Sequence, residues 1–150
     1  MNLRFNKILK ATMPKSKIKH SNRVFNKLDG LPSDVKYAAL FHDYLESGGS
    51  LSKIEKVLPP KTIDLIKLLT ITDDTSVIEH IKKTLKSGDI TTQLSNFLIL
   101  IKIADRKDNY NKRVSKGKLT KKYKKKSKTL LAYLIKQYNG PRQLLKDALS

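Results

Sequence analysis

The run Phe97-Leu98-Ile99-Leu100-Ile101 does most to limit what this chain can fold into. Five consecutive apolar side chains leave no polar face, so a helix carrying them must be enclosed at the centre of a bundle. A short strand buried on both sides is the rival reading. The surrounding pattern is helical almost throughout, and one long helix is expected from Thr91 towards Arg113.

Turn chemistry divides the remainder into further helices. Asp29-Gly30-Leu31-Pro32-Ser33 is a turn, with Ser33 as N-cap of a helix Asp34–Glu46 that buries Val35, Ala38, Ala39, Leu40 and Phe41 before reaching His42-Asp43. Ser47-Gly48-Gly49-Ser50 breaks that helix. A short helix begins at Ser52, where Ser52 and Glu55 have capping-box spacing, and Pro59-Pro60 ends it. Pro60 is tolerable in the first turn of the next helix, Lys61–Leu69. Thr72-Asp73-Asp74-Thr75 is a break before Ser76–Leu85, and Ser87-Gly88-Asp89 is another. Beyond Ser115-Lys116-Gly117, a basic amphipathic helix spans Leu119–Tyr138 with Leu130, Leu131, Leu134 and Ile135 inward. Asn139-Gly140-Pro141 stops it, and Arg142–Leu149 forms a last short helix. The expected fold is all-α: a single compact helical bundle over residues 1–150, with a core at about 18–113 and a basic helical part at 114–150.

A length of 150 residues suits one domain. The absence of cysteine excludes disulfides and thiolate metal sites. No apolar stretch is long enough to span a bilayer, and the N-terminus lacks the apolar core and cleavage site of a secretory signal. The expected location is therefore cytoplasmic, with no membrane partner. The net charge of +19 is unevenly spread. Residues 1–27 carry eight Lys/Arg and no acid, and residues 106–128 carry twelve against the single Asp108, while residues 28–105 are close to neutral. Such flanks attract polyanions, from nucleotides to nucleic acid, although lysine-rich faces also serve simply as solvated surface.

Two imidazoles and two carboxylates, His20, His42, Asp43 and Asp105, make a four-ligand set for a divalent cation if the fold gathers their helices. Mixed nitrogen and oxygen donors suit Mn²⁺, Fe²⁺ or Zn²⁺, and favour catalytic over structural use. Taken alone, a His-Asp dipeptide is a weak signal. His80, in Ile78-Glu79-His80-Ile81-Lys82, matches no such pattern and reads as exposed.

The order His…His-Asp…Asp resembles the HD phosphohydrolases, and the residues around it resemble the hydrolase domain of the RelA/SpoT family, including its small stand-alone members. The resembling segments are His20-Ser21-Asn22-Arg23-Val24, Ala38-Ala39-Leu40-Phe41-His42-Asp43-Tyr44-Leu45-Glu46-Ser47, Ser50-Leu51-Ser52-Lys53-Ile54-Glu55, Leu65-Ile66-Lys67-Leu68-Leu69-Thr70, Thr72-Asp73-Asp74 and Lys102-Ile103-Ala104-Asp105-Arg106-Lys107-Asp108-Asn109. They cover about residues 18–113 in the family's order. The resemblance implies an HD-domain bundle and a metal-dependent phosphohydrolase, with His20, His42, Asp43 and Asp105 as ligands of Mn²⁺. It implies that Glu46 positions or deprotonates the attacking water and that Asn109 faces the nucleotide. The implied reaction removes the 3′-pyrophosphate of guanosine tetra- or pentaphosphate, or acts on a related nucleotide.

There are departures from the family pattern. Ser47 stands where the family has an Asp, which puts the catalytic rate in question. The family's basic phosphate-gripping motif before the first His is not recognisable, and Lys15, Lys17 and Lys19 are the residues available to replace it. The competing readings are another HD nucleotide phosphohydrolase, or a catalytically weak scaffold that binds nucleic acid through residues 1–27 and 106–128, with Tyr110 and Tyr123 stacking on bases.

Overall fold

Most glycine and proline breaks in the sequence become helix ends. The computed structural model describes residues 2–71 and 76–150, so the break expected at Thr72-Asp73-Asp74-Thr75 lies outside the described residues. Among the described residues every regular element is a helix, and the fold is all-α. The chain divides into two compact units, Met1–Thr75 and Ser76–Ser150.

The first unit holds α1 (Leu3–Thr12), α2 (Lys15–Lys27), α3 (Ser33–Leu40), α4 (Leu51–Glu55) and α5 (Pro60–Leu69). Helix α3 is its hub, packed against both α2 and α5. Val35, Ala38 and Ala39 are fully buried there, and small side chains at 38 and 39 let neighbouring helices approach closely. Phe5, Phe41 and Tyr44 form an edge-to-face series, with centroids 5.6 Å and 5.7 Å apart, and Phe5 also meets Tyr37 at 4.9 Å. The sequence pattern did not mark α1 separately. Its cap is regular: the Asn2 side chain accepts from the Arg4 N–H.

Helix α3 ends at Leu40, six residues before the expected terminus at Glu46. His42, Asp43 and Glu46 therefore sit in a run of tight turns, not on a helix. Tyr44 N–H donates to Phe41 O and Gly48 N–H to Leu45 O, both three residues back, while Ser47 N–H reaches Asp43 O. Two further starts differ from expectation. Pro32 takes the N-cap position of α3 and Ser33 is its first helical residue, so the hydroxyl makes no cap. Ser52 lies inside α4, whose N-cap is Ser50, so Ser52 and Glu55 form no capping box. Pro60 does open α5, where its missing N–H costs nothing.

The second unit holds α6 (Val77–Lys86), α7 (Thr92–Ser115), α8 (Lys121–Gln137) and α9 (Arg142–Leu149). Side chains of Ser76, Thr91 and Thr120 cap the first three by accepting from Glu79, Leu94 and Tyr123 N–H groups. The apolar run is helical: Phe97 to Ala104 are all buried along α7, including Lys102. Helix α7 packs against α8 and α9. Asn96 ties its start to the turn after α8, donating to Asn139 O at 2.8 Å and accepting from Asn139 N–H at 3.0 Å. Leu130 and Leu134 of α8 are buried as expected, joined by Ser127, but Ile135 is 39% exposed. Its place one residue past Leu134 turns it from the α7 side. His80 is half-buried rather than exposed.

Candidate metal centre

His20 lies mid-way along α2, on the face that also buries Ser21 and Val24. His42 lies just beyond the end of α3, the helix against which α2 packs. Both imidazoles are buried, at 5% and 4% exposure, and their ring centroids are 5.2 Å apart in an edge-to-face arrangement. Each offers a ring nitrogen within 4.8 Å of one on the other, a spacing at which the pair can hold a metal ion.

The orientation of His42 is set by backbone. Its Nδ1 lies 2.6 Å from the carbonyl oxygen of Ala39, which can only accept, so Nδ1 carries the hydrogen and donates it. In a continued helix that carbonyl would receive the N–H of Asp43, so the imidazole helps to end α3. If the ring is neutral with its hydrogen on Nδ1, Nε2 is the nitrogen that can act as a ligand. That atom faces Oδ2 of Asp43 at 3.3 Å. A lone pair and a carboxylate oxygen repel one another unless a proton or a cation stands between them. Two donors on one first-row metal ion, each about 2.1 Å from it, stand roughly 3 Å apart, so His42 and Asp43 have the spacing of neighbouring ligands, although Asp43 is not among the residues whose donor atoms gather within 4.8 Å with both imidazoles. A ligand imidazole whose other nitrogen donates to a backbone carbonyl is also the usual outer arrangement of a metal site.

Asp43 is half-buried and Glu46 exposed. The Glu46 carboxylate accepts from the backbone N–H of Ile71 at 2.8 Å, which links the turn run after α3 to the residue following the C-cap of α5. Helix α3, expected to run on to Glu46, ends before His42 and Glu46, so the two are not related by a turn of helix. Lys17, exposed on α2, donates to the Ser47 hydroxyl at 3.2 Å. Lys15 is exposed in the first turn of the same helix.

The turn run is held from below by Tyr44, which is fully buried. Its hydroxyl accepts from Ser50 N–H at 3.0 Å and reaches Ser50 O at 3.2 Å. Gly49 lies against the ring so closely that any side chain there would collide with it. Gly48 has φ +91°, a conformation open to glycine at little cost.

In the second unit, Asp105 stands on α7, directly after the buried apolar segment. Both carboxylate oxygens are oriented by the same helix: Lys102 Nζ donates to Oδ2 at 3.3 Å, and Asn109 Nδ2 donates to Oδ1 at 3.1 Å. The spacings i−3 and i+4 put all three on one face. Asn109, expected to face a nucleotide, is seen here to position Asp105. Lys102 was part of the resembling segment, but only its burial beside Asp105 marks it as a positioning residue. The role of Ala39 has no side-chain signal at all, since the group used is a carbonyl.

No protein-family model matches the chain, and no curated protein or solved structure matches it either. Among the described residues, no helix is long and apolar enough to cross a membrane.

Proposed function

We propose that the protein is a metal-dependent phosphohydrolase, acting on the 3′-pyrophosphate of guanosine tetra- or pentaphosphate or on a closely related nucleotide. The observation that carries this reading is the His42 arrangement, with Nδ1 committed to Ala39 and Nε2 directed at Asp43, beside a second buried imidazole, His20. The sequence resemblance to the RelA/SpoT hydrolases supplies the substrate class. It also supplies the fourth ligand, Asp105.

By that resemblance, His20, His42, Asp43 and Asp105 would hold the ion, with Mn²⁺ the expected metal. A divalent cation bound there polarises a phosphoryl oxygen and makes water a better nucleophile near neutral pH. Glu46 takes the proton of the attacking water, a role for which its exposed carboxylate is accessible while the Ile71 N–H fixes its direction. Lys15 and Lys17 offset polyphosphate charge, and Asn109 contributes a donor towards the nucleotide.

The test is release of pyrophosphate from guanosine tetraphosphate by purified protein with Mn²⁺, beside Asp43→Ala. Turnover that requires both the metal and Asp43 is expected. Absence of turnover in protein shown to bind Mn²⁺ would discard the guanosine polyphosphate assignment and leave the metal site standing.

A further inference from the structure

Basic residues on the second unit form two grooves, and apart from Asn109 the hydrolase reading uses none of the residues that line them. One is lined by Asn109, Lys112, Arg113, Lys116 and Lys118, along the last turns of α7 and the loop after it. The other is lined by Lys121, Lys124, Lys125 and Lys128 on α8, with Thr129. The α8 lysines recur at helical spacing on the side opposite buried Ser127, Leu130 and Leu134, giving a cation at about every 5.4 Å of helix. Residues 109–146 contain thirteen Lys/Arg and no Asp or Glu. Among the described residues, no carboxylate lies within ion-pair distance of any of these seven lysines, so their charge is not neutralised internally.

The aromatic rings of this unit decide what kind of polyanion fits. Tyr123 of α8 lies against two guanidinium groups from α7, Arg113 at 3.7 Å and Arg106 at 5.0 Å from its centroid. Arg106 also donates to Ser127 at 3.3 Å. Tyr110 pairs with Lys107 and Tyr133 with Lys82, at 5.8 Å and 5.2 Å. The Tyr138 hydroxyl donates to Pro141 O and its ring covers Gly140, while Phe97 is buried. Binding of single strands relies on aromatic faces on which bases stack. Here the rings serve the protein's own cations, and Tyr123 holds Arg113 in place for an outside anion.

We propose that the α7–α8 face binds the phosphate backbone of a nucleic-acid duplex, independently of sequence. Phosphate binding of this kind needs only ordered positive charge, and its strength falls steeply with salt through counterion release.

The experiment is fluorescence anisotropy with a labelled DNA duplex of about two helical turns, the matching single strand, and EDTA present so that hydrolysis plays no part. Salt is varied from about 50 to about 200 mM, a range over which neutralising six or more phosphates costs about a thousandfold in affinity. The duplex should bind tighter than the single strand. In the variant Lys124→Gln/Lys125→Gln/Lys128→Gln, the slope of log affinity against log salt should become shallower by about 0.9 for each phosphate that is no longer neutralised. The control variant Lys53→Gln/Lys56→Gln/Lys67→Gln removes the same charge from exposed positions of the first unit. Equal effects in the two variants would reduce the result to net charge and overturn the proposal. So would single-strand binding as tight as that of the duplex. Circular dichroism of each variant ensures that a weaker affinity is not unfolding. Because no metal or turnover is involved, failure here leaves the hydrolase reading untouched, and the reverse holds too.

Discussion

The 2.6 Å contact between His42 Nδ1 and the Ala39 carbonyl joins the end of a helix to the orientation of an imidazole that could ligate a metal ion. That hydrogen bond engages the carbonyl that would extend α3 and selects which ring nitrogen carries the hydrogen. His42→Ala should therefore weaken Mn²⁺ binding by at least about 100-fold, beyond the usual effect of losing an outer partner. Titration followed by electron paramagnetic resonance checks this, and an unchanged affinity would remove His42 from the ligand set.

The close approach of Gly49 to the Tyr44 ring makes position 49 the most sensitive in the turn run. Gly49→Ala forces a methyl group onto a fully buried ring and should cost about 1–3 kcal/mol, the usual range for overpacking. Tyr44→Phe keeps the ring and loses the hydroxyl bonded to Ser50, so its expected cost is smaller, about 1 kcal/mol. Denaturant titration of the two variants gives both values. A Gly49→Ala protein as stable as the parent would show that the ring can shift without penalty.

The helices were legible where turn residues and apolar spacing agree. Thr91, Pro60 and the Asn139-Gly140-Pro141 stop all act as their chemistry requires, and α9 spans Arg142–Leu149 as expected. The apolar run was harder, since five consecutive apolar residues have no period; the length of α7 around it resolves helix from strand. The premature end of α3 was not legible, because it depends on a side chain competing for a backbone carbonyl within an apolar pattern that looks continuous. Among the candidate residues, pairing of His20 with His42 in the first unit follows from α2 packing on α3, and pairing of Asn109 with Asp105 in the second from helical spacing. The bond from Glu46 to Ile71 crosses 25 residues and leaves no trace in local pattern.

Ser47, 3.2 Å from the ammonium of Lys17, is the position at which the resemblance to the RelA/SpoT hydrolases would put an aspartate. A carboxylate at this position would meet a cation already in place. Ser47→Asp should thus be accepted structurally, with a stability change within about 1 kcal/mol because its partner Lys17 is exposed. Under the proposed function it should raise the Mn²⁺-dependent turnover of guanosine tetraphosphate by restoring the negative charge beside Glu46. Turnover equal to or below that of the parent would show that the hydroxyl is sufficient for this chain's reaction.

Glu46 separates catalytic from structural roles most cleanly, because its carboxylate has a structural partner that an amide can keep. In Glu46→Gln the side-chain carbonyl can still accept from the Ile71 N–H, so thermal stability should change little. The amide cannot take a proton from water, so turnover should fall by about 10²- to 10⁴-fold, the usual contribution of a positioned base. Mn²⁺ affinity should persist, since Glu46 is outside the proposed ligand set. Melting temperature, Mn²⁺ titration and pyrophosphate release on the same preparation distinguish the cases. A fall in turnover accompanied by an equal fall in metal affinity would make Glu46 a ligand instead of a base. A melting temperature several degrees lower would make its bond to Ile71 the principal role.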